Sequence, residues 1–162
     1  DLYAVGLIDR LPRLISAQAE GCCPINRAVV RGGGWEPMEE NTFADSIAVG
    51  VPRNGDKALM AIRESRGLAV NVSDREIMEA QQLLGRSCGV FGEPAGVTAT
   101  AGVKKLCEQG ILGREETVVS VVTGNGLKDV ANAIKACGEP ISIPGDMNAL
   151  LRAFSDSGIV VE

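Results

Sequence analysis

Three runs of strand length, at residues 14–19, 68–72 and 117–122, alternate along the chain with stretches of helical spacing. This alternation constrains the chain to an α/β layer architecture with a mostly parallel sheet flanked by helices, because parallel neighbours must be joined by crossovers and helices are the usual ones. The third run, Thr117-Val118-Val119-Ser120-Val121-Val122, is β-branched almost throughout and reads as a buried parallel strand. A further short strand is expected at Ile141-Ser142-Ile143. At 162 residues and 45% hydrophobic content the chain can bury one core, so residues 1–162 are read as a single domain.

Local signals place the helices. Ser73 and Glu76 form a capping box that satisfies two free amides and opens a helix through Ile77, Ala80, Leu83 and Leu84. Residues 58–66 have helical spacing, with Gly67 as the expected left-handed cap. Pro24 opens a short helix to Val30, and residues 31–40, with three consecutive glycines, read as a surface loop. Pro94 suits the first turn of a helix reaching about Gln109, with Ala95, Ala99, Gly102 and Leu106 on one stripe that lets it approach a sheet closely. Helices are also expected over Val130–Cys137 and from Asp146 to Phe154, followed by a ragged end.

Composition removes several function classes. With 16 Lys and Arg against 21 Asp and Glu, the net charge is -5 and the basic residues are scattered, so nucleic acid is not an expected partner. Gly, Pro or charge interrupts each apolar run well short of the roughly 18 residues a membrane span requires. Cys22, Cys23, Cys88, Cys107 and Cys137 lack CxxC spacing and there is no His, so free thiols and no metal site are expected. Without His, a Ser-His-Asp or Cys-His mechanism has no base within this chain. The first residues have no initiator Met and no targeting pattern, and read as the start of a segment cut from a longer chain.

In open α/β sheets ligands bind beyond the carboxyl ends of strands, which directs attention to Thr123-Gly124-Asn125-Gly126. The glycines do not complete a dinucleotide fingerprint, because its third glycine would fall at Asp129, and no Lys-Ser or Lys-Thr makes a P-loop. The residues alone leave open a plain strand-to-helix turn. Glu93, ahead of Pro94, either complements the helix dipole or marks a helix start that faces a ligand, with Gly96 admitting close approach. Lys104 and Lys105 read as a solvated face, and Lys128 as capping or paired with Asp129.

Several blocks, in order and spacing, resemble the threonine synthase family: Leu11-Pro12-Arg13, Gln18-Ala19-Glu20-Gly21, Ser46-Ile47-Ala48-Val49-Gly50-Val51-Pro52, Val72-Ser73-Asp74-Arg75-Glu76, Glu93-Pro94-Ala95 and Val122-Thr123-Gly124-Asn125-Gly126-Leu127-Lys128-Asp129. The resemblance spans nearly the whole chain but only the later part of a family member. It implies the tryptophan-synthase-like fold, pyridoxal 5'-phosphate as cofactor in a cleft between two domains, and conversion of O-phosphohomoserine and water to threonine and phosphate. Thr123 is then expected to hydrogen-bond the cofactor's pyridine nitrogen; Gly124 and Gly126 let the main chain pass close to the ring, Gly50 lines another face through its main chain, and Glu93 completes the cofactor-binding set. The implied partners are O-phosphohomoserine and the N-terminal part of the same chain, with a homodimer left open and a cytoplasmic location expected.

The resemblance also implies what is missing. The family's cofactor-bearing lysine lies in an N-terminal Ser-Phe-Lys-type motif, and Lys57, Lys104, Lys105 and Lys128 lack that context. No catalytic residue is therefore assigned, and the segment alone is expected to be inactive. Family members commonly carry His at the position of Asn125, Ser at Gly96 and an acidic residue near Ser87-Cys88; Gly96 is familiar from threonine and serine dehydratases. Such a dehydratase, a cysteate synthase, and a non-catalytic metabolite-binding domain are the alternative readings.

Overall fold

In the computed structural model, which describes residues 1–158, parallel pairing is realised between β1 (Ile15–Ala19) and β2 (Leu68–Val72), with Ile15 opposite Leu68 and Ala19 opposite Val72. Side chains alternate between the two faces. Ala17, Ala19, Val70 and Val72 face one core, whereas Gln18 and Asn71 meet Asn26 on the other side. Helices α1 (Pro24–Arg31) and α2 (Gly55–Glu64) precede β2; α3 (Asp74–Cys88), α4 (Pro94–Glu108), α5 (Val130–Cys137) and α6 (Met147–Asp156) follow it. The result is a layered arrangement. Ile25, Ala28, Leu59 and Ile62 seal α1 to α2, while Ile77, Ala80, Val97, Ala101 and Leu106 seal α3 and α4 onto the sheet. Each fully buried aliphatic side chain contributes about 1.5–3 kcal/mol, so the α3–α4 layer holds most of the apolar stabilisation.

The capping box forms as expected. Glu76 N–H donates to Ser73 Oγ at 3.3 Å, and Ser73 N–H donates to the Glu76 carboxylate at 2.6 Å. Lys105 corrects its reading as a solvated side chain: its ammonium donates to Asn71 O at 2.8 Å and lies 3.1 Å from Glu76, tying α4 to the start of α3. Lys104 is the more exposed of the two and pairs along its own helix with Glu108. Burial of Glu76 works to raise its pKa, but the Ser73 N–H and hydroxyl and the Lys105 ammonium outweigh it and hold the carboxyl below its ordinary 4.5.

On the expected stripe of α4, Gly102 does what a small residue is for: a Cβ there would lie 2.9 Å from Val70 Cγ1 and 3.0 Å from Ala17 Cβ. A side chain would push the helix off the sheet.

Four expectations are corrected. Residues 117–122 form no strand: they have no regular secondary structure and no backbone partner among the described residues, and Val119 and Val121 are 84% and 66% exposed. A β-branched run becomes a strand only when a neighbour supplies the ladder, and both described strands pair with each other instead. Residues 141–143 likewise form no strand. The helix expected at 58–66 runs from Gly55 to Glu64, and the left-handed residue after it is Arg66, at φ 52°, not Gly67. Gly67 is required for space, because a Cβ there would collide with the Leu14 carbonyl.

Cys22 and Cys23 are buried at the β1–α1 junction, Cys88, Cys107 and Cys137 are exposed, and all five are free. Desolvation pushes the Cys22 thiol above its ordinary value. No helix among the described residues is long and apolar enough to cross a membrane. The end of the chain read as ragged includes residues 159–162, which lie outside the described residues.

Candidate functional site at the start of α4

The segment after the third apolar run is held against the entrance of α4 by a short antiparallel bridge between Gly92 and Asn125. Glu93 N–H donates to Gly124 O at 2.9 Å, and Gly126 N–H donates to Phe91 O at 2.9 Å. Asn125 then accepts from Leu127 N–H, and Asp129 accepts from Asn132 N–H to open α5. The loop is thus fixed at both ends by its own polar residues, which is why the sequence folds locally as a turn that leads into a helix.

Glycine is needed on both sides of the bridge. A Cβ on Gly124 would overlap the Glu93 carboxylate, one on Gly126 would lie 2.6 Å from Phe91 Cε1, and one on Gly96 would lie 3.0 Å from Gly124 N and 3.3 Å from Thr123 N. The first turn of α4 therefore lies directly against the main chain of Thr123 and Gly124. Of the expected site residues, the structure brings Glu93, Thr123 and Gly124 together. Gly50 is elsewhere: its N–H donates to the Glu40 carboxylate at 2.8 Å and its carbonyl accepts from Met38 N–H at 3.1 Å, so both main-chain groups are committed within their own loop.

Two side chains in the cluster lack partners. Glu93 is 7% exposed, yet its carboxylate makes no hydrogen bond or ion pair among the described residues. Its stem is packed while its carboxylate oxygens still reach solvent, since they are not among the buried polar atoms left without a partner. Thr123, at the exposed edge of the loop, likewise presents a hydroxyl with no intramolecular partner among them. A neutral donor-acceptor hydroxyl, a carboxylate and glycine-bared main chain at the start of a fifteen-residue helix can meet a polar ligand. An open cleft of about 490 Å³ lies away from this cluster, beyond the carboxyl end of β1, and is lined by Glu20, Arg27, Met38, Glu39 and Asn41 among others.

Sequence reasoning missed two residues of the site. Phe91 packs under Gly126, and Gln81 of α3 donates from Nε2 to Gly92 O at 2.8 Å. Gln81 was detectable in principle, since a polar residue beside Ala80 on the inward stripe of a helix must find a buried partner.

Fold and candidate site together describe an α/β unit whose candidate site is built from a helix start and a glycine loop. The chain belongs to the pyridoxal-phosphate dependent enzyme family, whose model matches residues 3–124. It is 44% identical over 152 residues to a threonine synthase of Methanosarcina acetivorans, covering 93% of this chain and 38% of that protein. It is 46% identical over 153 residues to a threonine synthase of Methanocaldococcus jannaschii, again covering 93% and 38%. The chain thus spans well under half the length of these relatives. Among solved structures, threonine synthase from Escherichia coli superposes with a TM-score of 0.61 at 18% identity over 91% of this chain and 38% of that one. Maize serine racemase superposes with 0.61 at 15% identity over 96% and 42%. At such identities the superpositions establish the fold alone.

Proposed function

We propose that this chain is the C-terminal part of a threonine synthase which, completed by an N-terminal part, converts O-phosphohomoserine and water to threonine and phosphate. The observation that carries the reading is the identity of 44–46% to two proteins of that name over 93% of the chain, a span that includes the loop and helix start. At that site the Glu93 carboxylate and the Thr123 hydroxyl have no intramolecular partner among the described residues and are free to meet a cofactor, which supports the reading.

When bound, pyridoxal phosphate supplies an electron sink for charge that develops on the substrate. This chain's residues would hold and tune it. The Thr123 hydroxyl would hydrogen-bond the ring nitrogen and, being neutral, would not favour a protonated ring as a carboxylate does. Gly124 would leave the ring in contact with main chain, and the Glu93 carboxylate would accept from a donor on the ligand. Gly50 would contribute shape from a separate loop, its polar groups being occupied. The cofactor-bearing lysine and the phosphate loop would come from the N-terminal part, and the assembly into a homodimer stays a proposal of the same rank.

Gly96 favours keeping a second activity in the test. It abuts Gly124, so a serine there would change the floor of the site, and glycine at this position is shared with dehydratases of the resemblance. The experiment is to read the coding sequence upstream of Asp1, express the complete protein, and analyse products with O-phosphohomoserine, with threonine, and with phosphoserine plus sulfite. Threonine and phosphate from the first substrate are expected. Formation of 2-oxobutanoate from threonine, with O-phosphohomoserine inert, would replace the synthase reading by the dehydratase one, and cysteate would do so for cysteate synthase. A natural start codon at the beginning of the segment would replace it by a separate binding module.

A further inference from the structure

Gly92 occupies the centre of the antiparallel bridge, between the two hydrogen bonds that Glu93 and Gly126 donate across it. In such a non-hydrogen-bonded pair the central residue's own N–H and C=O point away from the opposing strand. The Gly92 carbonyl therefore has to be satisfied from outside the bridge, in a place where the residue is buried between Val97 and Val122. Gln81, 2% exposed on the inner face of α3, satisfies it: Nε2 donates to Gly92 O at 2.8 Å. Only the amide NH2 can serve a carbonyl, so this contact also orients the side chain, leaving Oε1 buried with no partner among the described residues. A glutamine kept in the core with one end unsatisfied is not explained by apolar packing, since leucine or methionine would fill the same space without an orphaned polar atom.

We propose that Gln81 is a positioning residue for the cofactor site: by holding the Gly92 carbonyl it sets the register of residues 91–93 against residues 124–126, and through that register the placement of Glu93, Thr123 and Gly124. The inference rests on the reading that this loop binds pyridoxal phosphate, and is independent of which substrate the enzyme takes. The one side-chain hydrogen bond of Gln81 among the described residues is to Gly92, so it acts on Glu93, Thr123 and Gly124 through the bridge.

The test uses the complete protein, stripped of cofactor and titrated with pyridoxal phosphate, comparing wild type, Gln81→Met and Ala80→Gly. Ala80 is buried on the same turn of α3 and serves as a control for general loss of stability. Gln81→Met is expected to bind the cofactor about tenfold more weakly and to shift its absorbance maximum. Hydrogen exchange at the Glu93 and Gly126 amides should quicken while the amides within α3 keep their protection. Ala80→Gly should lower the melting temperature at least as much and leave the affinity and those two amides close to wild type. Cofactor affinity and exchange in Gln81→Met that match wild type, or that fall only in step with the control, would overturn the proposal. Should Gln81→Met fail to fold, Gln81→Leu removes the donor with another apolar side chain that suits a helix, and is read by the same two measurements. A wild-type protein that binds the cofactor but makes no threonine would sink the substrate reading and leave this comparison intact, whereas a wild type that binds no cofactor would sink both.

Discussion

In the middle of α4, Gly102 meets the side chains of Val70 and Ala17; at the N-terminal end of the same helix, Gly96 meets the main chain of Thr123 and Gly124. Both glycines admit close approach, but to different kinds of neighbour. Side-chain methyls are part of a packed core in which added volume costs stability. Main-chain atoms of a loop can move only by carrying the loop's functional groups with them. The same residue type thus supports the fold at one station and the geometry of a site at the other, and the difference lies in what the missing Cβ would have touched.

The largest effect is expected where the helix meets the sheet. Gly102→Leu should lower stability by about 3 kcal/mol through overpacking, read as a fall in the urea midpoint of the complete protein, with cofactor affinity unchanged in the molecules that remain folded. Gly96→Ala should behave in the opposite way, weakening pyridoxal phosphate binding while the urea midpoint stays within experimental error. Equal effects of the two substitutions on both readings would abolish the distinction between the two ends of α4.

A smaller effect sharpens the site end. Thr123→Val keeps the shape and removes the hydroxyl, so a hydrogen bond worth about 0.5–1.5 kcal/mol net is lost, and cofactor retention and turnover should both fall with folding intact. Thr123→Asp should instead change the cofactor's absorbance spectrum by favouring protonation of the ring. Wild-type retention and turnover in Thr123→Val would reduce Thr123 to a turn residue.

The smallest effect belongs to the far end of the helix, where Lys105 is tied to the capping box. The folded-state pKa of Glu76 is depressed, so its contribution is fully present above the unfolded value of 4.5 and is lost as pH falls through the lower folded value. Stability should therefore drop by about 1 kcal/mol, the usual worth of a helix cap, as the medium is acidified below that point. Glu76→Gln should flatten this part of the stability-pH curve; an unchanged curve would mean that the cap is not coupled to the charge.

Legibility in the sequence followed the range of the interactions involved. The helix opened by Ser73 and Glu76 was readable because both partners of each capping bond lie within four residues. Leu68–Val72 and Val130–Cys137 were readable because apolar spacing and flanking turn residues are local. The valine run at 117–122 has the local character of a strand, but strand formation needs a hydrogen-bonding neighbour, and no local pattern reports whether one is at hand. Gly67 was assigned a left-handed conformation that Arg66 adopts, because glycine's freedom and glycine's small size leave the same trace in a sequence.

By itself the sequence determined the α/β alternation, the caps and turns, and the blocks of residues whose order marks the family, since each of these depends on neighbours along the chain. Only the tertiary structure decided that Gly124 lies against the Glu93 side chain, that Lys105 is tied to α3, and that Gln81 serves the Gly92 carbonyl eleven residues away. These facts depend on which surfaces meet when α3 and α4 close over the sheet. Burial and hydrogen-bond satisfaction are properties of that closure, and no single segment carries them.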